Sequence, residues 1–336
     1  MVIPFNRILG RVGVALAVAV TAGIGLISLG GQASAADNWP DRPVQIIVSY
    51  GAGGASDRQA RLLAAPLEKV LGVPVVVQNM PGAGGQVAAV SLLRAPADGY
   101  TVLATNEPDL SMTAALKASP YKYEDLDIIM VDVFDPRILL VTKDSPIKTF
   151  ADFVSMAKAE PGKLSISVAQ GAAQELFAKW LVSSLGLNVR IVGFKGGGEA
   201  ATAMLGGHVT ATLGDDFARL NIRDLSRALL IGSPKASPRW HEAELMADAL
   251  KPYGVTPPTP RFLTRYGVYV VSAAFRKAQP DRYLKLRKAI ATAMSSRDFK
   301  DQLEKQGFSD LALAEPGDGH KEAFAKTLTV IKELAK

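Results

Sequence analysis

The chain has 336 residues, 48% hydrophobic and 21% charged, enough apolar material for a large core and too much for a disordered chain. It contains no cysteine, and its three histidines, His208, His241 and His320, are not spaced as neighbouring ligands on one helix or strand, so disulfides, thiol chemistry and a zinc site are not expected. The formal charge of +6 is scattered along the chain rather than gathered with aromatic residues, which argues against nucleic acid as a partner.

Arg7 and Arg11 precede an apolar run over residues 12–29, and Gln32-Ala33-Ser34-Ala35 follows as a small-residue cleavage pattern. Residues 1–35 therefore read as a secretory signal peptide, with a periplasmic protein beyond it. No cysteine is available for a lipid anchor, and no later stretch is apolar enough for a membrane span.

Residues 44–48 are short, β-branched and bounded by Pro and Gly, which predicts a buried strand. The loop Gly51-Ala52-Gly53-Gly54-Ala55-Ser56-Asp57 leads into a helix ending near Leu71, with Ala60, Leu63, Ala64 and Leu67 on one face. Ser56 and Gln59 have the spacing of a capping box. A strand at 75–77, a second glycine loop at 79–85, a helix at 86–94 and a strand at 101–104 continue the pattern. Strands are then predicted at 138–141, 164–168, 189–192, 209–213, 228–231 and 268–271. Helices are expected between them at 149–159, 172–185 and 199–205, and at the C-terminus over 281–294, 297–306 and 319–334. Strand, loop and helix in repetition predict an α/β fold with parallel-type sheets flanked by helices, and a chain of this length usually divides its core in two.

Three glycine loops, at 51–57, 81–85 and 196–198, stand between a strand end and a helix start. Ligands bind at the carboxyl ends of parallel strands, where helix N-termini offer free N–H groups to an anion. Gly51 to Ser56 approaches the dinucleotide fingerprint, but its last position is Ser and no acid closes the second strand, where Gln78 and Asn79 stand. No Walker loop, G-x-S-x-G elbow or H-E-x-x-H motif occurs, so no cofactor is expected. Asp215 and Asp216 are adjacent on a predicted strand and point to opposite faces unless the backbone turns; a solvated strand end is the plain expectation.

Several motifs follow one another in order: Pro40-Asp41-Arg42-Pro43, Gly53-Gly54-Ala55-Ser56-Asp57, Asn79-Met80-Pro81-Gly82-Ala83-Gly84-Gly85, Asp98-Gly99-Tyr100, Pro161-Gly162-Lys163, Phe194-Lys195-Gly196 and Leu205-Gly206-Gly207-His208. With these motifs the chain resembles the substrate-binding proteins of tripartite tricarboxylate transporters, also called the Bug family, over nearly all of its mature length. The resemblance implies a type 2 periplasmic binding fold of two α/β lobes with two crossover strands, near 138–141 and 268–271. Lobe one would comprise 37–136 and 268–336, and lobe two 137–267. It implies a small carboxylate ligand enclosed by hinge motion, two integral membrane subunits as partners, and no enzymatic activity; a monomer is expected.

The same resemblance implies that Gly53, Gly54, Ser56 and Asp57 form a first ligand loop, with N–H groups and the Ser56 hydroxyl toward a carboxylate and Asp57 capping backbone donors. Gly82, Ala83 and Gly84 would form a second. Gln170, Gly171, Ala172, Lys195, Gly196 and Asp215 would line the pocket from lobe two. Two departures stand out: Glu175 where the family tends to carry a His, and Asn106-Glu107-Pro108-Asp109 where small hydroxyl residues are common. Glu107, Asp109, Glu175 and Asp215 are candidates for an acidic far end, suited to an amino acid or a metal-chelated carboxylate; the plainer reading is that they cap helices or face solvent. Two other functions use the same cleft: a periplasmic enzyme working through Asp215 and Lys195, and a sensor that presents its ligand to a membrane receptor.

Overall fold

β-Branched runs bounded by Gly or Pro form the strands, and glycine loops open most of the helices that follow them. The computed structural model describes residues 38–334 apart from 117, 260 and 308. The signal sequence read at 1–35 lies outside these residues. In chain order the first elements are β1 (Val44–Val48), α1 (Ala55–Leu71), β2 (Val75–Asn79), α2 (Gln86–Arg94), β3 (Thr101–Glu107) and α3 (Asp109–Leu116). The long β4 (Leu126–Thr142) is followed by α4 (Phe150–Ala159), β5 (Ser165–Ala169), α5 (Ala173–Ser184), β6 (Arg190–Phe194), α6 (Gly197–Leu205) and β7 (Ala211–Asp215). Then come β8 (Ser226–Ile231), β9 (Glu244–Leu245), α7 (Met246–Leu250), β10 (Thr264–Ser272), α8 (Ala273–Ala278), α9 (Pro280–Ser295), α10 (Arg297–Lys305), β11 (Ala312–Pro316) and α11 (Lys321–Leu334).

The strands run in the order β2-β1-β3-β10-β4-β7-β5-β6. β1 lies parallel between β2 and β3, and β5 lies parallel between β6 and β7. β4 joins the two groups by changing partners along its length. Residues 126–136 pair antiparallel with β10, and residues 137–142 pair antiparallel with β7 and β8. Each half-sheet is therefore mixed, a parallel set of three closed by an antiparallel crossing strand. At the switch point the Arg137 N–H donates to the Leu263 carbonyl at 2.9 Å, and the Gly232 N–H donates to the Arg137 carbonyl at 2.8 Å.

Separate apolar clusters serve the two halves. Ile47, Leu103, Val131, Val268 and Phe324 belong to the first, whereas Phe153, Ile166, Phe177, Leu213 and Phe262 belong to the second. A third cluster, with Ile138, Leu140, Met204 and Trp240, includes the other side chains of β4. Alternation along β4 explains this division, since successive side chains point to opposite faces. Among the described residues no helix is long and apolar enough to cross a membrane.

Two sequence expectations need correction, and one strand was not anticipated. The strand placed at 138–141 is the end of a 17-residue strand. Asp127, Asp132, Asp135, Pro136 and Arg137 interrupt the apolar run, yet all four charged residues are buried because each has a partner. The Asp127 carboxylate, for example, accepts from the Tyr283 hydroxyl at 2.8 Å and from Arg276 at 2.9 Å. The Ser56–Gln59 capping box does not form: Gly54 is the N-cap of α1, and Gln59 donates instead to Asp132 at 2.5 Å. A capping box forms instead at α4, where Thr149 and Asp152 bond each other's backbone N–H groups. Finally, β11 lies in the stretch 307–318, for which no element was predicted, and pairs antiparallel with β4.

Phe177 is fully buried, with its ring 5.5 Å from that of Trp180 and 5.6 Å from that of Phe262. Phe177→Ala should cost about 3–5 kcal/mol in urea unfolding. A loss below about 1 kcal/mol would show that the second core does not depend on this packing.

Candidate functional site

β1, β2, β3, β5, β6 and β7 all end at one cleft between the two half-sheets. This is where parallel strands deliver loops and helix N-termini. Two of those loops touch backbone to backbone. A Cβ on Gly196 would lie 3.1 Å from the Gly51 nitrogen, and one on Gly198 would lie 2.8 Å from the Ala52 carbonyl oxygen. Neither glycine has a positive φ, so what each supplies is room for this approach.

Side chains tie the same sides together. Arg58, on α1, donates to the Phe217 carbonyl at 3.2 Å and to Asn221 Oδ1 at 3.4 Å, with its guanidinium 4.6 Å above the Phe217 ring. Asp109, at the start of α3, accepts the N–H of Ala173, the first residue of α5. Arg239 bonds Asp216 through two nitrogens, at 2.6 and 2.8 Å, and reaches Asp310 at 2.6 Å.

The cleft holds two cavities that share Tyr50. The inner one, about 20 Å³, is lined by residues that include Gly54, Ala55, Ser56, Asn106, Asp109, Ala172, Gln174, Gly197, Asp215, Arg219 and Arg265. The outer one, about 470 Å³, is lined by Pro81, Gly82, Ala83, Gly84, Gln170, Gly171, Glu175 and Lys195. The Tyr50 hydroxyl donates to the Gly84 carbonyl at 3.3 Å, which places its ring between them.

Residues 59–235 match the tripartite tricarboxylate transporter family receptor profile. BugT of Bordetella pertussis is 34% identical over 266 residues, which cover 75% of this chain and 77% of BugT. The chain belongs to this receptor family. A UPF0065 protein from the gbd 5′ region of Cupriavidus necator is 36% identical over 205 residues, but the match spans only 61% of this chain and 62% of that relative. An R. palustris protein solved with adipate superposes with a TM-score of 0.76 over 88% of this chain and 97% of its own, at 22% identity, which shows a shared fold.

In this family member the expected site residues divide into three groups. Gly54, Ser56, Ala172 and Asp215 line the inner cavity together with Asp109. Gly82, Ala83, Gly84, Gln170, Gly171, Lys195 and Glu175 line the outer one. Gly53, Asp57, Gly196 and Glu107 line neither. The Gly53 N–H donates to the Asp57 carboxylate at 3.0 Å, so it is not available to a ligand. Asp57 also accepts from Arg61 and Asn79, and these hydrogen bonds hold its pKa below the usual range despite partial burial, which pushes it up. Ser56 faces the cavity, but its hydroxyl proton goes to Asn106 Oδ1 at 2.9 Å rather than to a carboxylate.

The four acids do not form one acidic wall. Glu107 is wholly buried, accepting from the Tyr123 hydroxyl at 2.7 Å and the Ser111 N–H at 3.3 Å. Burial pushes its pKa up to about 7, against the pull of those hydrogen bonds. Glu175 accepts from the Gly171 N–H at 2.7 Å and from Lys179 at 2.6 Å. Asp215 accepts from Arg137 at 3.1 Å and Gln174 at 2.9 Å, with Arg265 at 3.8 Å. The expectation of a solvated strand end at Asp215-Asp216 is thus corrected: both are 1% exposed, and they diverge to opposite arginine partners. Among the described residues no three His, Asp or Glu side chains gather as a metal site.

Tyr50, Gln174, Arg219 and Arg265 were not among the sequence candidates, whereas Gly197 and Asn106 lie in the 196–198 loop and the 106–109 stretch singled out there. Arginine is ordinarily a surface residue, and nothing in the spacing of Arg219 or Arg265 marks them as buried.

Two outcomes test this geometry. Gly198→Ala favours α6 locally yet prevents the two loops from meeting. Amide exchange at 52–56 and 196–199 should accelerate with no fall in Tm; unchanged exchange would mean that the loops part easily in the wild type. The second concerns Glu107. An unfolded glutamate titrates near 4.3, so between about pH 4 and 7 the folded protein binds the extra proton. The Glu107 contribution to stability therefore falls as pH rises through that window. Glu107→Gln should remove this part of the decline, leaving the variant more stable at pH 8 by on the order of 1–3 kcal/mol relative to its difference at pH 4. Parallel stability curves for the two proteins would refute a raised Glu107.

Proposed function

We propose that this protein is a periplasmic solute receptor that captures a small organic carboxylate and delivers it to the integral membrane subunits of a tripartite tricarboxylate-type transporter. The observation that carries this reading is the convergence of the N-termini of α1 and α6 on one cavity with a buried guanidinium in its wall. Each helix end stabilises an anion by roughly 0.3–1 kcal/mol, and by about 2 kcal/mol when partly buried. Membership of the receptor family and the fold shared with a protein solved with adipate support the same ligand class.

The reading includes a cleaved signal at 1–35, which a periplasmic address requires. It also includes two lobes that close by hinge motion about β4 and β10. The change of partners between Pro136 and Arg137 supports the first lobe boundary. For the second, the pairing of β10 with the first half-sheet from Thr264 onward favours a boundary near 263 over one at 267. The catalytic alternative rests on Asp215 with Lys195. It draws no support from the geometry, because these residues line different cavities and Asp215 is bonded to Arg137.

The chain beginning at Ala36, melted against C3–C8 mono-, di- and tricarboxylates, tests the proposal. A ligand at 100 times its Kd adds about 2.7 kcal/mol, which raises Tm by about 4 °C for a chain of this size. A shift with some carboxylates and none with their amides supports the reading. The absence of any shift from protein that has been unfolded and refolded to strip retained ligand would refute it.

A further inference from the structure

Arg219 is a buried cation with no anion bonded to it. Its side chain is 1% exposed and lines the inner cavity. Its Nε and Nη2 have no hydrogen-bond partner among the described residues, and Nη1 makes only a 3.5 Å contact with the neighbouring Ala218 carbonyl. Burial pulls its pKa down, while Asp215 and Asp135 act in the opposite direction from a distance. Both of those acids are bonded elsewhere: Asp215 to Arg137 and Gln174, Asp135 to Arg265 at 3.2 Å and to the Phe217 N–H at 2.8 Å. Arg265, the other arginine of the cavity, is paired through its terminal nitrogens with Gln59, Asn106 and Asp135, and only its Nε, 3.8 Å from Asp215, lacks a hydrogen bond.

Space has been cleared for this side chain. A Cβ on Gly197 would lie 2.7 Å from Arg219 Nη2, and a Cβ on Gly214 would lie 2.5 Å from its Nε. Neither glycine has a positive φ, so the backbone does not demand glycine at either position. An unpaired buried charge costs several kcal/mol, and an arrangement that holds one open at the wall of a ligand cavity is complete only when an anion enters.

Building on the carboxylate-receptor reading, we propose that Arg219 is the charge partner of the ligand and a determinant of specificity. Its guanidinium forms a direct, forked ion pair with the carboxylate at the buried end of the ligand, beside the N-termini of α1 and α6. The protein then selects ligands whose buried end is a carboxylate over those bearing an amide or ester there. The acids of the cavity do not oppose this, because Asp215 and Asp109 are engaged by Arg137, Gln174, Asn106 and the Ala173 N–H.

Titration calorimetry with the tightest carboxylate of the panel and its monoamide tests the assignment on wild type, Arg219→Met, Arg219→Lys and Gly197→Ala. Arg219→Met should lose roughly 100- to 1,000-fold in affinity for the acid and little for the amide. Arg219→Lys keeps the charge without the fork and should lose about tenfold. Gly197→Ala retains Arg219 but displaces its guanidinium, so it too should lose affinity for the acid, and it carries the test if Arg219→Met does not fold. A purely structural Arg219 would alter Tm and leave the acid-to-amide ratio at its wild-type value, and that result overturns the proposal while the receptor reading stands. Failure of the wild type to bind any carboxylate overturns both.

Discussion

The structure depends on paired charges buried where two strands pass between the half-sheets. Arg137 on β4 and Arg265 on β10 are nearly inaccessible to water, and each meets an aspartate: Asp215 at 3.1 Å and Asp135 at 3.2 Å. Such pairs are weak evidence for stability, because desolvation consumes most of the Coulombic gain, but removing one partner strands the other charge and costs roughly 3–5 kcal/mol. Their value here is positional. Asp215 ends β7 and Gln174 lies in the first turn of α5, so the bonds that Asp215 makes to Arg137 and Gln174 tie the end of one parallel strand to the crossing strand and to the start of the helix that follows β5, at the same cavity. The crossing strands thus join the halves and also organise the binding wall.

Around that wall the glycine loops of the two halves meet backbone to backbone, and arginine side chains reach across beside them. Gly51 to Gly53 meets Gly196 to Gly198, and most of the bonds that span the cleft use a carbonyl or an N–H on one side: Arg58 to the carbonyls of Phe217 and Ala218, Asp109 to the Ala173 N–H, Arg239 to the Gly307 carbonyl. Backbone contacts of this kind tolerate opening and reclosing because they do not require interlocked side chains to repack, which suits the hinge closure proposed above.

The strand and helix pattern was legible because its physical basis is local. Runs such as 44–48, glycine at the end of α1 and at the loops before α2 and α6, and the apolar face of α1 can each be read from a few neighbouring residues. β4 was not legible beyond 138–141. Asp127, Asp132, Asp135 and Arg137 look like loop or surface residues until Tyr283, Arg276, Gln59, Arg265 and Asp215 arrive from distant segments to satisfy them. The glycine loops of the cleft were legible for a related reason, since glycine before a helix has a backbone explanation. The arginines were not: burial of Arg219 depends on absent side chains at Gly197 and Gly214, and no short-range pattern records an absent neighbour.

On the proposed assignment, charge and closure are linked through Arg219. With the loops parted, its guanidinium would be open to water, which solvates it at no cost to the protein. Closing the loops that carry Gly54 and Gly197 would withdraw that water, and without an anion the closed form would contain an uncompensated cation. A carboxylate in the cavity removes the penalty, so it binds the closed form better than the open one, and a ligand shifts an equilibrium only through such a difference. An uncharged analogue of the same shape gains the same hydrogen bonds from the helix N-termini yet leaves the cation unpaired, and so closes the cleft less completely. Selectivity for charge and the drive to close then have one origin, the desolvation of a single guanidinium.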